Sequence, residues 1–305
     1  MKLIACTVVF TLLGGVPAVA DDAIEWIERS HEAVFDSAQV VTCQTPDGQV
    51  DGVFEVSGTG LGVQAGQGEE QRVYGANGVF STTDSAQAIG VPTDGNESPG
   101  SGYSSIEVAS ERFDGRRTKA FNLFRDEVLR ATVVFDFATG ALLSMSTFNG
   151  DGSEYCAVET TTFRQPIGLF EQSVPVEADS ELERIDADPV VAPSTVAGFV
   201  RLDTYRWRES GSASFYSDGL FSFTLVSAPT TFALSDSDAS DVEFDGGSYR
   251  RLFEPGRSTY VWESEMGGMS LVGDLPLDLQ EAVLAELAPA ERPGLLMRLW
   301  RRLFR

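Results

Sequence analysis

The sequence predicts an α+β protein built mainly from antiparallel strands, and three observations support this class. Short runs rich in Val, Thr and Phe recur along most of the chain, with turn signals between them. The connections are short, which favours hairpins over the longer crossovers of parallel βαβ units. Helical spacing of apolar residues is confined to segments near the two ends. The turn signals are Pro-Asp-Gly at 46–48, Ala-Asn-Gly at 76–78, Ala-Thr-Gly at 138–140 and Asn-Gly-Asp-Gly at 149–152.

The first twenty residues predict a cleaved secretory signal. Lys2 is followed by an apolar run over 3–13, and Ala18-Val19-Ala20 has the small residues that a signal peptidase reads. The run is shorter than the ~20 apolar residues that a membrane span needs. We therefore expect a signal peptide over 1–20 and a mature chain that begins near Asp21 in an oxidising compartment.

Two further segments have helical periodicity, one after the signal and one near the C-terminus. Residues 21–37 predict an amphipathic helix whose apolar face is formed by Ile24, Ile27, His31, Val34 and Phe35. Residues 278–287 predict a short helix that stops before Pro289. The glycine-rich segment 58–66 is expected to be a loop, since no helix follows it as a dinucleotide site would require.

An acidic, proline-bearing segment over 173–195 predicts a linker between two β-rich domains. The expected N-terminal domain covers 21–172, and the expected C-terminal domain covers 196–288. Cys43 and Cys156 remain after removal of the signal, and an even count in an oxidising compartment suggests one disulfide. Two separate buried thiols are the alternative.

The charge balance excludes one class of partner, and the residue content supports no enzyme. The chain carries 46 acidic and 22 basic residues, a net charge of −24, which would repel nucleic acid phosphates. His31 is the only histidine, and the sequence contains neither a Gly-x-Ser-x-Gly elbow nor a His-Glu-x-x-His metal motif. We predict no catalytic residue, no metal site and no cofactor.

A group of motifs in the second half of the chain resembles the RseB/MucB family, periplasmic regulators of the envelope-stress sigma factor. They are FYSDGLFSFTLV at 215–226, YRRLFEPGRSTYVWES at 249–264 and LVGDLPLDLQEAVLAEL at 271–287, in the family's order. Upstream, RRTKAFNLF at 116–124 and VVFDFATGALLSMSTFNGDG at 133–152 resemble consecutive strands of the same family. The resemblance covers most of residues 110–288.

The resemblance implies a LolA-like half-open antiparallel β-barrel with packed helices, joined by the linker to a smaller β-rich domain with one helix. It also implies that the protein binds the periplasmic part of a single-span inner-membrane anti-sigma factor. Family members shield that factor from proteolysis and respond to envelope lipids or lipoproteins. The family motifs place the partner-binding region at Tyr216, Ser217, Asp218, Gly219, Phe221, Arg250 and Arg251. The alternative function is a periplasmic lipid or lipoprotein carrier of the LolA/LolB type without a signalling role.

A lipid-sensing barrel would expose apolar residues on its concave face. Val133, Phe135 and Phe137 alternate along one predicted strand and therefore share one face. They are candidates for contact with lipid, and a plain hydrophobic core is the equally open alternative.

The segment 289–305 predicts a basic amphipathic tail. Pro293 and Gly294 separate it from the preceding helix, and on a helix its four arginines lie opposite a continuous apolar arc. Such a helix is typical of a membrane surface. Binding to the body of the protein or to a partner helix are the alternatives. The predicted surface residues are Leu295, Leu296, Arg298, Leu299, Trp300, Arg301, Arg302, Leu303, Phe304 and Arg305.

Overall fold

The computed structural model describes residues 21–59, 62–67, 70–75, 102–165, 183–207, 210–230, 232, 234, 239–245, 247–265 and 267–287. The predicted signal peptide, the turn signal at 76–78 and the predicted tail lie outside the described residues. The first part of the predicted linker, over 173–182, lies outside them too.

The described residues form two helices and seventeen strands. In chain order they are α1 Asp21–His31, β1 Val34–Thr45, β2 Gly48–Thr59, β3 Gly62–Gln67, β4 Glu70–Gly75, β5 Ser104–Val108, β6 Thr118–Arg125, β7 Val128–Asp136, β8 Leu142–Phe148, β9 Glu154–Arg164, β10 Thr195–Val196, β11 Phe199–Trp207, β12 Gly211–Ser217, β13 Ser222–Ala228, β14 Ser240–Phe244, β15 Gly247–Glu254, β16 Arg257–Ser264, β17 Gly267–Gly273 and α2 Leu277–Glu286. Neither helix is long and apolar enough to span a bilayer.

The strands form two separate antiparallel sheets, which confirms the predicted fold class. The first sheet has nine strands in the order β4-β3-β2-β1-β9-β8-β7-β6-β5. Within the described residues its end strands β4 and β5 do not pair with each other, so the sheet is half open. The turn signals at 46–48, 138–140 and 149–152 each connect two neighbouring strands of this sheet.

Helix α1 packs on the first sheet and completes a hydrophobic cluster with it. This α1 cluster consists of Ala23, Trp26, Tyr103, Phe121, Leu123, Ala131, Val133 and Phe135. A second group under the same sheet, the β1 cluster, consists of Ala33, Phe35, Val41, Cys43, Phe54, Val56, Ala141, Tyr155 and Cys156.

Two local predictions at the start of the first sheet are wrong. Helix α1 ends at His31 rather than at residue 37, and Val34 and Phe35 belong to β1. Strand β1 pairs with both β2 and β9, and these two ladders outweigh the helical periodicity of the segment. The described part of the segment 58–66 is strand rather than loop, because β2 continues to Thr59, β3 begins at Gly62 and the two strands pair.

The second sheet has eight strands in the order β10-β11-β12-β13-β17-β16-β15-β14, and α2 packs on it. Its core, the second-sheet core, is rich in aromatic residues, and the rings of Tyr216 and Phe223 stack with centroids 4.7 Å apart. Helix α2 agrees with the predicted helix to within one residue at each end. Part of the predicted linker lies against this sheet, since the Ile185 N–H donates to the Thr204 carbonyl at 3.0 Å. The domain boundaries themselves stay predictions.

Cys43 and Cys156 face each other across the β1–β9 ladder. Their Cα atoms lie 4.0 Å apart, and a disulfide joins them. The bridge joins residues 113 positions apart in the chain and links β1, the first strand of the sheet in chain order, to β9, the last.

Candidate functional site at the seam between the sheets

The two sheets meet along a seam made of three groups of contacts. The first joins the turn over 217–221, between β12 and β13, to β5 and β6. The second joins the start of α2 to β7 and β9 and to the β8–β9 turn. The third joins β14, β15 and the β15–β16 turn to the hairpin of β1 and β2. The seam therefore crosses the first sheet from its β5 end to β2.

Asp218 is the centre of the first group. Its carboxylate is almost fully buried and accepts hydrogen bonds from both sides of the seam. From the first sheet, the Tyr103 hydroxyl donates to Oδ2 at 2.6 Å and the Arg125 guanidinium donates at 2.7 Å. From its own turn, the N–H groups of Leu220 and Phe221 donate to Oδ1 at 3.0 and 2.8 Å. Since a buried carboxylate is costly unless it is paired, these four bonds hold the turn in one place.

The surroundings of Tyr103 and of Arg125 both favour their hydrogen bonds to Asp218. Burial and the neighbouring Asp218 carboxylate raise the pKa of the Tyr103 phenol above its usual value, so the hydroxyl remains a donor. Arg125 also donates to the Ala197 carbonyl at 3.4 Å and lies beside the Phe199 ring. Gly198 leaves room for it, because a Cβ at that position would lie 2.1 Å from the Arg125 Nη2 atom.

Leu220 crosses the seam at the tip of the same turn. It packs against the second-sheet core and also against the α1 cluster of the first sheet. Within the described residues, no other side chain belongs to both groups. The turn thus makes an ionic contact and an apolar contact with the first sheet at the same point.

The second group surrounds the start of α2. The Arg130 guanidinium forms an ion pair of 2.7 Å with Asp278, and the Leu277 N–H donates to the Asn149 side chain at 3.0 Å. Gln280 is fully buried and links the two sheets, since its amide donates to the Tyr155 hydroxyl at 3.1 Å and accepts from Tyr260 at 2.7 Å. Leu277 also packs against the β1 cluster, so this group combines polar contacts with an apolar one.

The third group brings the disulfide to the seam. The Arg251 guanidinium pairs with Asp47 at 2.9 Å, and Ser240 donates to the same carboxylate at 3.1 Å. The Gly256 N–H points to the Cys43 sulfur at 3.4 Å. Each of the three groups therefore contains one arginine–carboxylate pair that joins the sheets.

Asp274 directly follows β17 of the second sheet, and its carboxyl group lies near enough to Asp218 of the seam to feel its charge. Its Oδ1 accepts from the Ser222 N–H at 3.0 Å. Burial, opposed in part by this hydrogen bond and reinforced by the Asp218 charge, raises the pKa of Asp274 from 3.8 to about 6. The ionised form of this group is therefore disfavoured in the folded protein.

The three lipid candidates lie beside α1. Val133 and Phe135 are buried in the α1 cluster, where the Phe135 ring lies 5.8 Å from the Trp26 ring. Phe137 is 42% exposed at the rim of that cluster, with its ring 5.9 Å from Trp26. The first two therefore pack as core residues under the helix, and the third faces outward.

Three cations lie over the buried Trp26 ring and the exposed Phe137 ring. The Arg29 guanidinium lies 4.7 Å from the Trp26 ring and the Lys119 ammonium 5.6 Å from it, and the Arg117 guanidinium lies 4.4 Å from the Phe137 ring. The faces of aromatic rings attract cations at such distances. Lys119 also pairs with Glu107 at 3.3 Å, so its charge is balanced locally.

The predicted partner-binding residues face largely into the molecule. Tyr216 and Phe221 are buried in the second-sheet core, and Asp218 is buried in the seam. Ser217 and Gly219 form the turn between them, with the Gly219 N–H donating to the Ser217 hydroxyl. Arg251 pairs across the seam, and Arg250 lies next to it on β15.

Sequence reasoning did not find Tyr103, Arg125, Leu220, Asp274 or Gln280. Leu220 and Asp274 lie inside the motifs that resemble the RseB/MucB family, but no residue pattern there marks them as contacts between the sheets. Tyr103 and Arg125 lie 115 and 93 residues from Asp218, so no local pattern connects them to it.

No model of a known protein family and no curated protein matches the sequence. Solved structures do match. The complex of MucA and MucB from Pseudomonas aeruginosa has a TM-score of 0.47 at 16% identity, covering 88% of this chain and 99% of that chain. A crystal structure of MucB has a TM-score of 0.44 at 15% identity, covering 90% and 100%.

A LolA-superfamily protein from Nitrosomonas europaea also matches, with a TM-score of 0.26 at 7% identity, covering 50% of this chain and 96% of that chain. The solved structures that match thus include MucB and a LolA-superfamily protein.

Proposed function

We propose that this protein is a periplasmic, non-enzymatic regulator that binds the periplasmic part of a single-span inner-membrane anti-sigma factor and protects it from proteolysis. The first sheet would sense envelope lipid or lipoprotein, and the second would carry the partner-binding region. One observation carries the proposal. The 217–221 turn, part of the motif that resembles the RseB/MucB family, contacts both sheets through Asp218 and Leu220.

This contact favours a regulator because a regulator must couple two sites. A ligand at the first sheet can change partner binding at the second only if the two have different contacts in the two states. The seam supplies such contacts, since three ion pairs and the side chains of Leu220 and Leu277 connect the sheets in the described part of the chain. A polar interface of this kind is typical of domains that move relative to each other.

A periplasmic lipid or lipoprotein carrier remains the second candidate, and the rim around Trp26 favours it. Arg29 and Arg117 place positive charge next to the Trp26 and Phe137 rings, an arrangement that suits an anionic amphiphile. A carrier would extract such a ligand and release it to an acceptor. A regulator would hold a protein partner in a fixed ratio.

Crosslinked capture from the native envelope distinguishes the two. The mature chain is crosslinked in its own envelope, purified under denaturing conditions, and its partners are identified. We expect one single-span membrane protein with a cytoplasmic sigma-binding domain. Recovery of acylated lipoproteins alone would contradict the regulator and support the carrier.

The capture is repeated without residues 294–305. We propose that this tail holds the protein at the inner-membrane surface, so its removal should reduce membrane association and leave the partner bound. Loss of the partner in lipid-free binding as well would instead place the tail in the protein interface.

A further inference from the structure

We infer that the 217–221 turn is a plug, in which Leu220 occupies part of an apolar ligand site in the first sheet and an acyl ligand must displace it. This inference rests on the lipid-sensing part of the proposed function and adds the means by which a ligand would reach the second sheet. The plug would make the seam an autoinhibitory contact within one chain.

The position of Leu220 supports the plug. Its side chain leaves the second sheet and packs against the α1 cluster, which also contains the lipid candidates Val133 and Phe135. An acyl chain that entered this cluster would compete for the same apolar surface. Since packed interiors have little spare volume, both could not be accommodated together.

The ionic contact beside Leu220 explains how the plug stays in place. Tyr103 and Arg125 of the first sheet bind one oxygen of Asp218, and the other oxygen holds the backbone of Leu220 and Phe221. Removal of Leu220 from the cluster therefore strains or breaks the Asp218 contacts. Displacement of the plug would change the seam at the motif associated with partner binding.

The chain contains a matched control for each half of the plug. Leu277 is a second leucine that crosses the seam, but it packs against the β1 cluster. Asp278 forms a second arginine–carboxylate pair across the seam, with Arg130. Changes at these two positions loosen the seam without emptying the Leu220 position.

The test measures binding of 11-(dansylamino)undecanoic acid, a fluorescent acyl probe, to the full chain and to four variants. Asp218→Asn keeps the oxygen that accepts from the turn but replaces the other with an amide, which cannot accept from Tyr103 and Arg125. If the plug fills the site in nine-tenths or more of the molecules, releasing it strengthens probe binding by about tenfold or more. We expect this gain in Asp218→Asn and Leu220→Ala, and a change below about twofold in Asp278→Asn and Leu277→Ala.

Hydrogen exchange on the unmodified chain gives an independent readout. Saturating probe should remove protection from the Leu220 and Phe221 amides, which bind Asp218, and leave the Leu277 amide protected. This measurement decides the matter if the Asp218→Asn variant does not fold.

The outcomes separate the two proposals. Probe binding that is equal in all five proteins, or that leaves the turn protected, overturns the plug and leaves lipid sensing intact. A comparable gain in the two control variants also overturns it, because general loosening would then be the cause. Absence of probe binding in every protein overturns lipid sensing and the plug together.

Discussion

Replacing Asp274 with asparagine should stabilise the folded protein at neutral pH. The Asp274 carboxyl has a pKa of about 6 in the folded chain against 3.8 ordinarily, mainly because burial disfavours its charge. The Ser222 N–H donates to Oδ1, and an asparagine carbonyl in the same position accepts the same bond. The variant removes the charge and keeps the hydrogen bond.

The magnitude follows from the pKa. A tenfold change in an equilibrium constant is about 1.4 kcal/mol. The raised pKa of Asp274 therefore means that ionising this carboxyl lowers the free energy of unfolding by at most about 3 kcal/mol. The folded state binds the Asp274 proton more tightly than the unfolded state does, so protonation of Asp274 stabilises the fold. This contribution is fully present below about pH 4 and is lost as the pH rises through about 6. We therefore expect the variant to gain about 1–3 kcal/mol at pH 7.5 and almost nothing near pH 4.

Urea denaturation of both proteins between pH 4 and pH 8 measures this gain. Asp278→Asn is the matched control. Its carboxylate pairs with the largely buried Arg130, so its loss should destabilise the protein at neutral pH. An Asp274→Asn variant that is less stable than the parent at pH 7.5, or equally stable at every pH, would refute the reasoning.

Three further predictions concern other parts of the chain. Replacing Cys43 and Cys156 together with alanine should cost about 5 kcal/mol in the chain-entropy description, measured by urea denaturation, and a loss below about 1 kcal/mol would contradict it. Phe223→Ala removes a fully buried ring that stacks on Tyr216, so we expect a loss of about 3–5 kcal/mol in the same assay, and an unchanged midpoint would show that the core repacks. Deleting 294–305 should weaken sedimentation with phosphatidylglycerol vesicles by about tenfold or more at low salt, since each arginine near an anionic surface contributes about 1 kcal/mol, and unchanged sedimentation would remove the membrane role.

The hairpins of the first sheet were predictable where the turn chemistry is local. Gly48 has a φ of 122°, a conformation that favours glycine, and its Pro-Asp-Gly signal marks the β1–β2 turn. The β6–β7 turn has no such signal, because the residues that adopt positive φ there are Asp126 and Glu127, at 52° and 65°, rather than glycines. The end of α1 was not predictable either, since the pairing of β1 with β2 and β9 decides it.

The candidate site was predictable only in part, for the same reason. The 217–221 turn stands out in the sequence through its motif. What it contacts depends on how the two sheets are placed, and Tyr103 and Arg125 come from strands with no pattern in common with it. The motif therefore predicts that Asp218 belongs to a partner-binding surface, while the structure places it in the seam between the sheets.

Protection from proteolysis is the measurement that tests the regulator most directly. The periplasmic part of the captured single-span protein is incubated with periplasmic protease from the same envelope, with and without this chain. At a concentration ten times the dissociation constant, the account predicts cleavage about tenfold slower with the chain present, and recovery of the rate when acyl ligand is added. Cleavage at an unchanged rate while the complex is formed would contradict it.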